Sequence, residues 1–408
     1  MKNNSVLFAL AAVVCLFGLN STASTPAVTV DDFKFGDKAY GGIGDTLFSH
    51  SGKLIVTGGW KEVGKSWHNM TRSSTDGTNW VPTPDDDRTH WGSRVILDSA
   101  GKFYGISTNG TQWVLNRSRD EGRTWISTPI DQDAYPDTYY NDVKLDSNGN
   151  IFIVGKYHPR SSNTEHWVVK ESRDGGATWT LIDDYPFELR SLSANKIAFD
   201  SFGAIYVVGY ADLSNSSTVL HWLVRKSSDL GKHWSTVDDF VYSLDSYSEP
   251  HDIAVGPLGE IYVIGEGHYD GNRGSKWIVR RSTDAGNTWK TIDEFQPSGQ
   301  VHAKASRLLL DPSGKLNVIG FGYDLENSGA GPTYFMIGRW IVRRSQDSGN
   351  SWTVADDFRL APDAHAEPKA CVLDNLGNLY VAGAAMDDAN VDTMHLHWIV
   401  RKLPPQGP

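Results

Sequence analysis

The chain has 408 residues, with 49 acidic against 38 basic side chains and a formal net charge of −11. This acidic balance argues against a nucleic-acid partner or an anionic membrane surface. The 40 glycines and 15 tryptophans are typical of an all-β, turn-rich protein.

The N-terminus has the pattern of a secretory signal. Lys2 precedes an apolar stretch at 6–19, and small residues follow at 21–23. The apolar stretch is too short for a comfortable membrane span, and no later segment is long and apolar enough to cross a bilayer. We therefore predict a signal peptide at 1–23, a secreted or periplasmic location, and a single domain at 24–408.

One pattern, Ser-x-Asp-x-Gly-x-x-Trp, recurs along the chain. Copies stand at 118–125, 172–179, 227–234, 282–289 and 345–352, and a copy at 74–80 is one residue short. A repeat of this period is typical of a unit that must stack on its neighbours to bury its apolar face.

The segments between the motifs contain four predicted strands per unit. Seven turn glycines separate the first two strands of successive units: Gly52, Gly101, Gly149, Gly203, Gly259, Gly314 and Gly377. Four consecutive antiparallel strands are a propeller blade. The sequence therefore predicts an all-β, seven-bladed β-propeller of four-stranded antiparallel blades.

The last unit ends without its fourth strand, which the N-terminus can supply. Residues 28–33 repeat residues 235–240 almost letter for letter. We expect strand 28–33 to complete the C-terminal blade and close the ring, since closure removes free strand edges.

The motif copies resemble Asp boxes, also called BNR repeats, of the sialidase-like superfamily of β-propellers. This resemblance implies a secreted propeller that binds or acts on glycans, with each box on the turn between the third and fourth strands. The chain lacks the Phe/Tyr-Arg-Ile-Pro stretch of that family and has seven units instead of six, so it does not carry the sialidase catalytic signature. An Asp carboxylate and a positive-φ Gly suit such a turn, so the box aspartates are predicted to be structural.

The position seven residues before each turn glycine is charged in six of the seven units. It is occupied by Asp45, Arg94, Asp142, Lys196, Asp252, Arg307 and Ala370. Alternating signs predict a belt of ion pairs between neighbouring blades, because charges near a core are seldom left unpaired. The alternative is a charged channel mouth that binds a polar ligand, in which Arg94 and Arg307 could hold a carboxylate.

Polar and aromatic residues gather in the loops that should form one mouth of the channel. The candidates for catalysis are Glu249, His251, Asp252, Asp142, Tyr140 and Glu367; those for ligand binding are Arg94, Arg307, His90, Trp91, His158 and His365. His and Tyr can transfer protons, and paired carboxylates can cleave glycosides. The acidic pairs at the fourth strands, such as Asp183 and Asp184, recur in nearly every unit, which favours a scaffold role. His395 and His397 lack an evident third metal ligand, so neither a metal nor a cofactor is predicted.

These features predict a propeller that binds a glycan or protein ligand at the channel mouth, because no loop carries a recognisable catalytic motif. The alternative is a polysaccharide-degrading enzyme at the same mouth. It would be a glycoside hydrolase using Asp or Glu, or a lyase using His and Tyr with a basic residue that neutralises a uronate. A purely structural exported domain is the third interpretation.

Overall fold

The structure is a computed structural model, and the part of the chain it describes consists of twelve ranges. They are 26–36, 39–49, 51–62, 68–83, 94–108, 112–131, 138–159, 164–188, 191–213, 219–327, 334–388 and 395–407. The predicted signal peptide, His90 and Trp91 lie outside these ranges.

The first four blades follow one another along the chain. Blade 1 contains Ala39–Phe48 (β2), Leu54–Glu62 (β3), His68–Ser74 (β4) and Val81–Thr83 (β5). Blade 2 contains Val95–Leu97 (β6), Phe103–Thr108 (β7), Trp113–Ser118 (β8) and Ile126–Pro129 (β9). Blade 3 contains Tyr139–Leu145 (β10), Ile151–Tyr157 (β11), Thr164–Ser172 (β12) and Thr180–Glu188 (β13). Blade 4 contains Leu192–Phe199 (β14), Ile205–Ala211 (β15), His221–Ser227 (β16) and Ser235–Phe240 (β17).

The remaining blades include the one that joins the two ends of the chain. Blade 5 contains Ser248–Val255 (β18), Ile261–Tyr269 (β19), Gly274–Ser282 (β20) and Lys290–Phe295 (β21). Blade 6 contains His302–Leu310 (β22), Leu316–Asn327 (β23), Tyr334–Ser345 (β24) and Thr353–Phe358 (β25). Blade 7 contains Ala366–Leu373 (β26), Leu379–Met386 (β27), Leu396–Leu403 (β28) and Val28–Lys34 (β1).

The described strands form seven four-stranded antiparallel sheets, which confirms the predicted propeller. In blade 7, β1 pairs with β28 from Val28 opposite Lys402 to Lys34 opposite His397. The described residues contain no helix that could span a membrane. The second and third strands of blade 6 are extended, since β23 runs to Asn327 and pairs there with Tyr334, where β24 begins.

Neighbouring blades interlock through a tryptophan of one third strand and a glycine of the next second strand. A Cβ added at Gly209 would lie 2.7 Å from the Trp167 ring. A Cβ added at Gly58 would lie 2.8 Å from the Trp398 ring. Both tryptophans are almost completely buried. Any side chain at these glycines would push the two blades apart.

An arginine–aspartate contact forms a second link between blades. Arg280 on β20 donates from Nε and Nη2 to the two carboxylate oxygens of Asp238 on β17, each at 2.8 Å. Its guanidinium lies 4.1 Å from the centroid of the Phe240 ring. The same link joins Arg72 to Asp31, Arg225 to Asp183, Arg343 to Asp293 and Arg401 to Asp356. Bidentate geometry and burial make these the strong ion pairs of the ring.

Where a fourth strand carries an acidic pair, the second acid has a different partner, within its own blade. Asp184 accepts from His166 and Asp239 from His221, while Asp357 pairs with Arg339. Together the two contacts explain why acidic pairs recur at the fourth strands.

Replacing Arg280 with Ala should destabilise the protein by about 3–5 kcal/mol, because it leaves Asp238 buried without its charge partner. Arg339→Ala is the matched control, since the Arg339–Asp357 pair is about one-third exposed. The Arg339→Ala substitution should lower the free energy of unfolding by about 0–1 kcal/mol. Urea unfolding of both variants measures the difference, and equal midpoints would contradict the proposed role of the blade link.

Candidate functional site

A cluster of acidic, histidine and lysine side chains lies where the first strands of blades 5 to 7 begin. In the β18–β19 ladder Glu249 stands opposite Glu266, and in the β22–β23 ladder His302 stands opposite Tyr323. These positions precede the β-bulges of the first strands, at Pro250/Asp252 in blade 5 and Ala305/Arg307 in blade 6. We call this end of the channel the acidic mouth.

Glu266 is the centre of this cluster. Its Oε1 lies 3.2 Å from His251 Nε2 and 3.4 Å from Lys304 Nζ, and its Oε2 lies 3.0 Å from His268 Nε2. Burial works against its ionisation, but Lys304, His251 and His268 outweigh burial and hold the pKa of Glu266 well below its usual range. The ionised carboxylate therefore fixes the positions of both imidazoles.

Glu249 and Glu367 reach the same mouth from blades 5 and 7. Glu249 is about one-third exposed, and its Oε1 lies 3.9 Å from His251 Nδ1. Burial opposes ionisation of Glu367, but His365 and Lys369 outweigh it and lower the pKa of that carboxyl.

Lys304 of blade 6 stands between these carboxylates. Burial acts to lower the pKa of Lys304, but the charges of Glu266, Glu249 and Glu367 outweigh it and raise that pKa. The mouth thus brings three carboxylates from two blades together around one ammonium group.

Tyr323 and His302 form the wall of the mouth on blade 6. Their rings stack with centroids 4.8 Å apart. Burial raises the pKa of Tyr323, and the charges of Glu266 and Glu249 add to this effect. The phenol therefore keeps its proton at neutral pH and can act as a proton donor.

Three groups of the mouth have the donor types of a metal site. Ligand atoms of Glu249, His251 and Glu266 all lie within 4.8 Å of one another. Imidazole nitrogen and carboxylate oxygen are ligands that Zn²⁺ accepts. Lys304 already neutralises part of this negative charge, so a cation would have to compete with it.

Asp142 and Asp252, predicted as catalytic candidates, instead lie in the channel wall and hold neighbouring blades. Asp142 is fully buried, and its Oδ1 lies 2.9 Å from Arg94 Nε and 3.6 Å from Lys196 Nζ. Its Oδ2 accepts from the Ile197 N–H at 3.2 Å.

Asp252 and Asp45 make the same backbone contact without an ion pair. Asp252 accepts from the Leu308 N–H at 3.0 Å, and Asp45 accepts from the Val95 N–H at 3.1 Å. Among the described residues, the predicted belt of ion pairs therefore forms only in part. Acids of blades 1, 3 and 5 bind backbone N–H groups of blades 2, 4 and 6, and the ion pairs seen at this position of the described strands are those around Asp142.

The other candidates are dispersed around the ring. Tyr140 is buried, and its hydroxyl donates to Asp131 within the wall between blades 2 and 3. His158 follows β11 on blade 3. His365 accepts a hydrogen bond from the Gly338 N–H at 2.9 Å and borders the mouth beside Glu367.

Replacing Asp142 with Asn should lower the thermal stability, because Arg94 and Lys196 would then lie in the channel without a carboxylate. The expected cost is about 3–5 kcal/mol, the range for breaking a buried ion pair. Asp146→Asn, in an exposed turn, is the control. Unchanged stability with lost ligand binding would contradict the structural role of Asp142.

Sequence reasoning missed Glu266 and Lys304. Lys304 stands three residues before Arg307, as Glu249 stands before Asp252 and Glu367 before Ala370. Comparison of the blades at this earlier position would have shown Glu, Lys and Glu on three consecutive blades.

Comparisons with known proteins give a distant set of relatives. No family model matches the chain, so membership of the Asp-box superfamily remains a prediction. A xyloglucanase from a Paenibacillus species is 24% identical over 329 residues, which cover 70% of this chain. The chain spans only 29% of the length of that relative.

A solved ulvan lyase, a polysaccharide lyase, is similar in fold. It superimposes with a TM-score of 0.57 over 89% of this chain and 95% of its own, at 12% identity. At this identity the likeness concerns the architecture alone.

Proposed function

We propose that this protein cleaves a polysaccharide at the acidic mouth, as a glycoside hydrolase. The observation that supports this proposal is the convergence of Glu249, Glu266 and Glu367 on Lys304. The name of the xyloglucanase relative also supports an enzyme over the non-catalytic binding protein that the sequence favoured.

The environments of the carboxylates suit different roles. The lowered pKa of Glu367 keeps it ionised, as a carboxylate that stabilises positive charge at the cleaved sugar or activates water must be. Glu249 is more exposed and adjoins His251, which suits the acid that protonates the leaving oxygen. Glu266 is a positioning residue, because it is buried and engaged by both histidines.

The charge at the mouth favours a neutral polysaccharide. Three carboxylates, Glu249, Glu266 and Glu367, face two ammonium groups, Lys304 and Lys369. A polyanionic chain would be repelled by this excess of negative charge.

A lyase acting on acidic polysaccharides is a second candidate, supported by Tyr323. This protonated phenol, beside His302 and near Lys304, has the groups that β-elimination needs: an acid, a base and a cation for the uronate carboxylate.

One experiment separates these functions. Purified protein is incubated with neutral polysaccharides (xyloglucan, arabinan) and acidic ones (ulvan, pectate), and both reducing ends and the absorbance of unsaturated uronates are measured. New reducing ends without unsaturated products support the hydrolase, whereas unsaturated products would replace it with the lyase. Saturable binding without cleavage of any polymer would instead support a non-catalytic propeller that binds glycans.

Export of the protein is part of the proposal, because large polysaccharides remain outside the cytoplasm. Mass spectrometry of protein from the producing cell should show an N-terminus close to residue 24. Recovery of the intact chain from the cytoplasm alone would contradict export.

A further inference from the structure

We infer that the central channel binds a small oxyanion between Lys144 and Arg307, near the face of the disc opposite the acidic mouth. The inference is independent of the proposed function, since it involves none of the residues of the mouth.

A cavity of about 780 Å³ occupies this end of the channel. Arg94, Lys144 and Arg307 line it together with Asp45 and Asp252. It opens among the turns that join first and second strands, such as residues 146–150. The space is large enough for an inorganic anion or the acid group of a sugar.

Two of the cations around this channel have no carboxylate beside them among the described residues. Three carboxylates, Asp45, Asp142 and Asp252, face four cations, Arg94, Lys144, Lys196 and Arg307. Arg94 and Lys196 pair with Asp142. Among the described residues, no carboxylate lies within ion-pair distance of Lys144 or Arg307.

The remaining acids of the cavity are already engaged. Asp146 and Asp200 each accept backbone N–H groups of their own turns, as from Asn148 and Phe202 at 2.9 Å. Glu171 pairs with Arg173. None of these described carboxylates forms an ion pair with Lys144 or Arg307.

Two further groups lie in this part of the channel. Burial, together with the charge of Arg94, lowers the pKa of Lys144 despite the carboxylates around it. Burial raises the pKa of the Cys371 thiol to about 12, so this neighbour of Arg307 stays neutral. An anion in the cavity would compensate the charges of Lys144 and Arg307.

Oxyanions match the donors that are present. Guanidinium and ammonium groups give short, charge-assisted hydrogen bonds to carboxylate and sulfate oxygens, and the planar guanidinium can bind two oxygens at once. The shared ligand chemistry is therefore a carboxylate or sulfate group, supplied either as a free ion or by an acidic sugar.

Isothermal titration with sodium sulfate and with sodium glucuronate, at constant ionic strength, tests the inference. Wild-type protein should bind at least one of them saturably, and the tighter ligand identifies the source. Lys144→Met and Arg307→Met should each weaken binding about tenfold, the loss expected for one charge-assisted hydrogen bond. Lys232→Met, at an exposed turn, should bind as wild type does.

Diffraction from crystals soaked in sodium selenate gives a second readout that does not depend on variant stability. An anomalous peak between Lys144 and Arg307 is expected. The inference would be overturned if wild-type protein showed neither saturable binding nor the anomalous peak. It would also be overturned if folded Lys144→Met bound the anion as tightly as wild type does.

Discussion

Deleting residues 28–33 should leave a protein that is insoluble or unfolds at a much lower temperature. The deletion removes a whole strand from blade 7 and exposes the edge of β28 to aggregation. It also removes Asp31, whose bond to Arg72 links blade 7 to blade 1. We expect a loss of more than about 5 kcal/mol, because breaking the buried pair alone costs about 3–5 kcal/mol.

Thermal unfolding followed by circular dichroism measures this loss. The control is a chain that lacks residues 1–25 but keeps β1. If the chain without residues 28–33 unfolded at the same temperature as this control, pairing of β1 with β28 would not stabilise the ring.

Glu249→Gln should reduce polysaccharide cleavage by about 10²–10⁴-fold, the usual contribution of a general acid or base. The amide cannot supply the proton that the leaving oxygen needs, while its size and its place on β18 are unchanged. The measurement is kcat from reducing-end release. Glu294→Gln is the control, because Glu294 is exposed on the outer strand and pairs with Lys276.

A Glu249→Gln protein that cleaves at the wild-type rate would exclude this residue as the acid. If Tyr323→Phe then abolished cleavage, the catalytic role would pass to the tyrosine and the lyase would be favoured.

The fold was predictable because each blade repeats the same local rules. The turn glycines have positive φ, for example 83° at Gly149 and 84° at Gly314, which side-chain-bearing residues rarely adopt. The box serines and aspartates bind their own turns, as Ser282 does at Asp284 and Gly286. Such local requirements are visible in sequence, and their recurrence gave the number of blades.

The site was less predictable because its contacts join different blades. The alternating charges drew attention to Asp142 and Asp252, but a register position does not show whether the partner is a side chain or a backbone amide. Asp252 binds the Leu308 N–H, which every residue type provides. Glu266 was missed because it lies within a regular second strand, where sequence pattern predicts only packing.

Among the described residues, the arginine–aspartate link is not found between every pair of neighbouring blades. At blade 2 the position of the linking arginine is occupied by Asn116, which binds Ser107 and Ser127 of its own blade. Blades 1 and 2 are joined instead by contacts such as the partly exposed Lys53–Glu121 pair. Amide hydrogen exchange should therefore be fastest along this seam, which would make it the hinge through which the disc first loosens on heating.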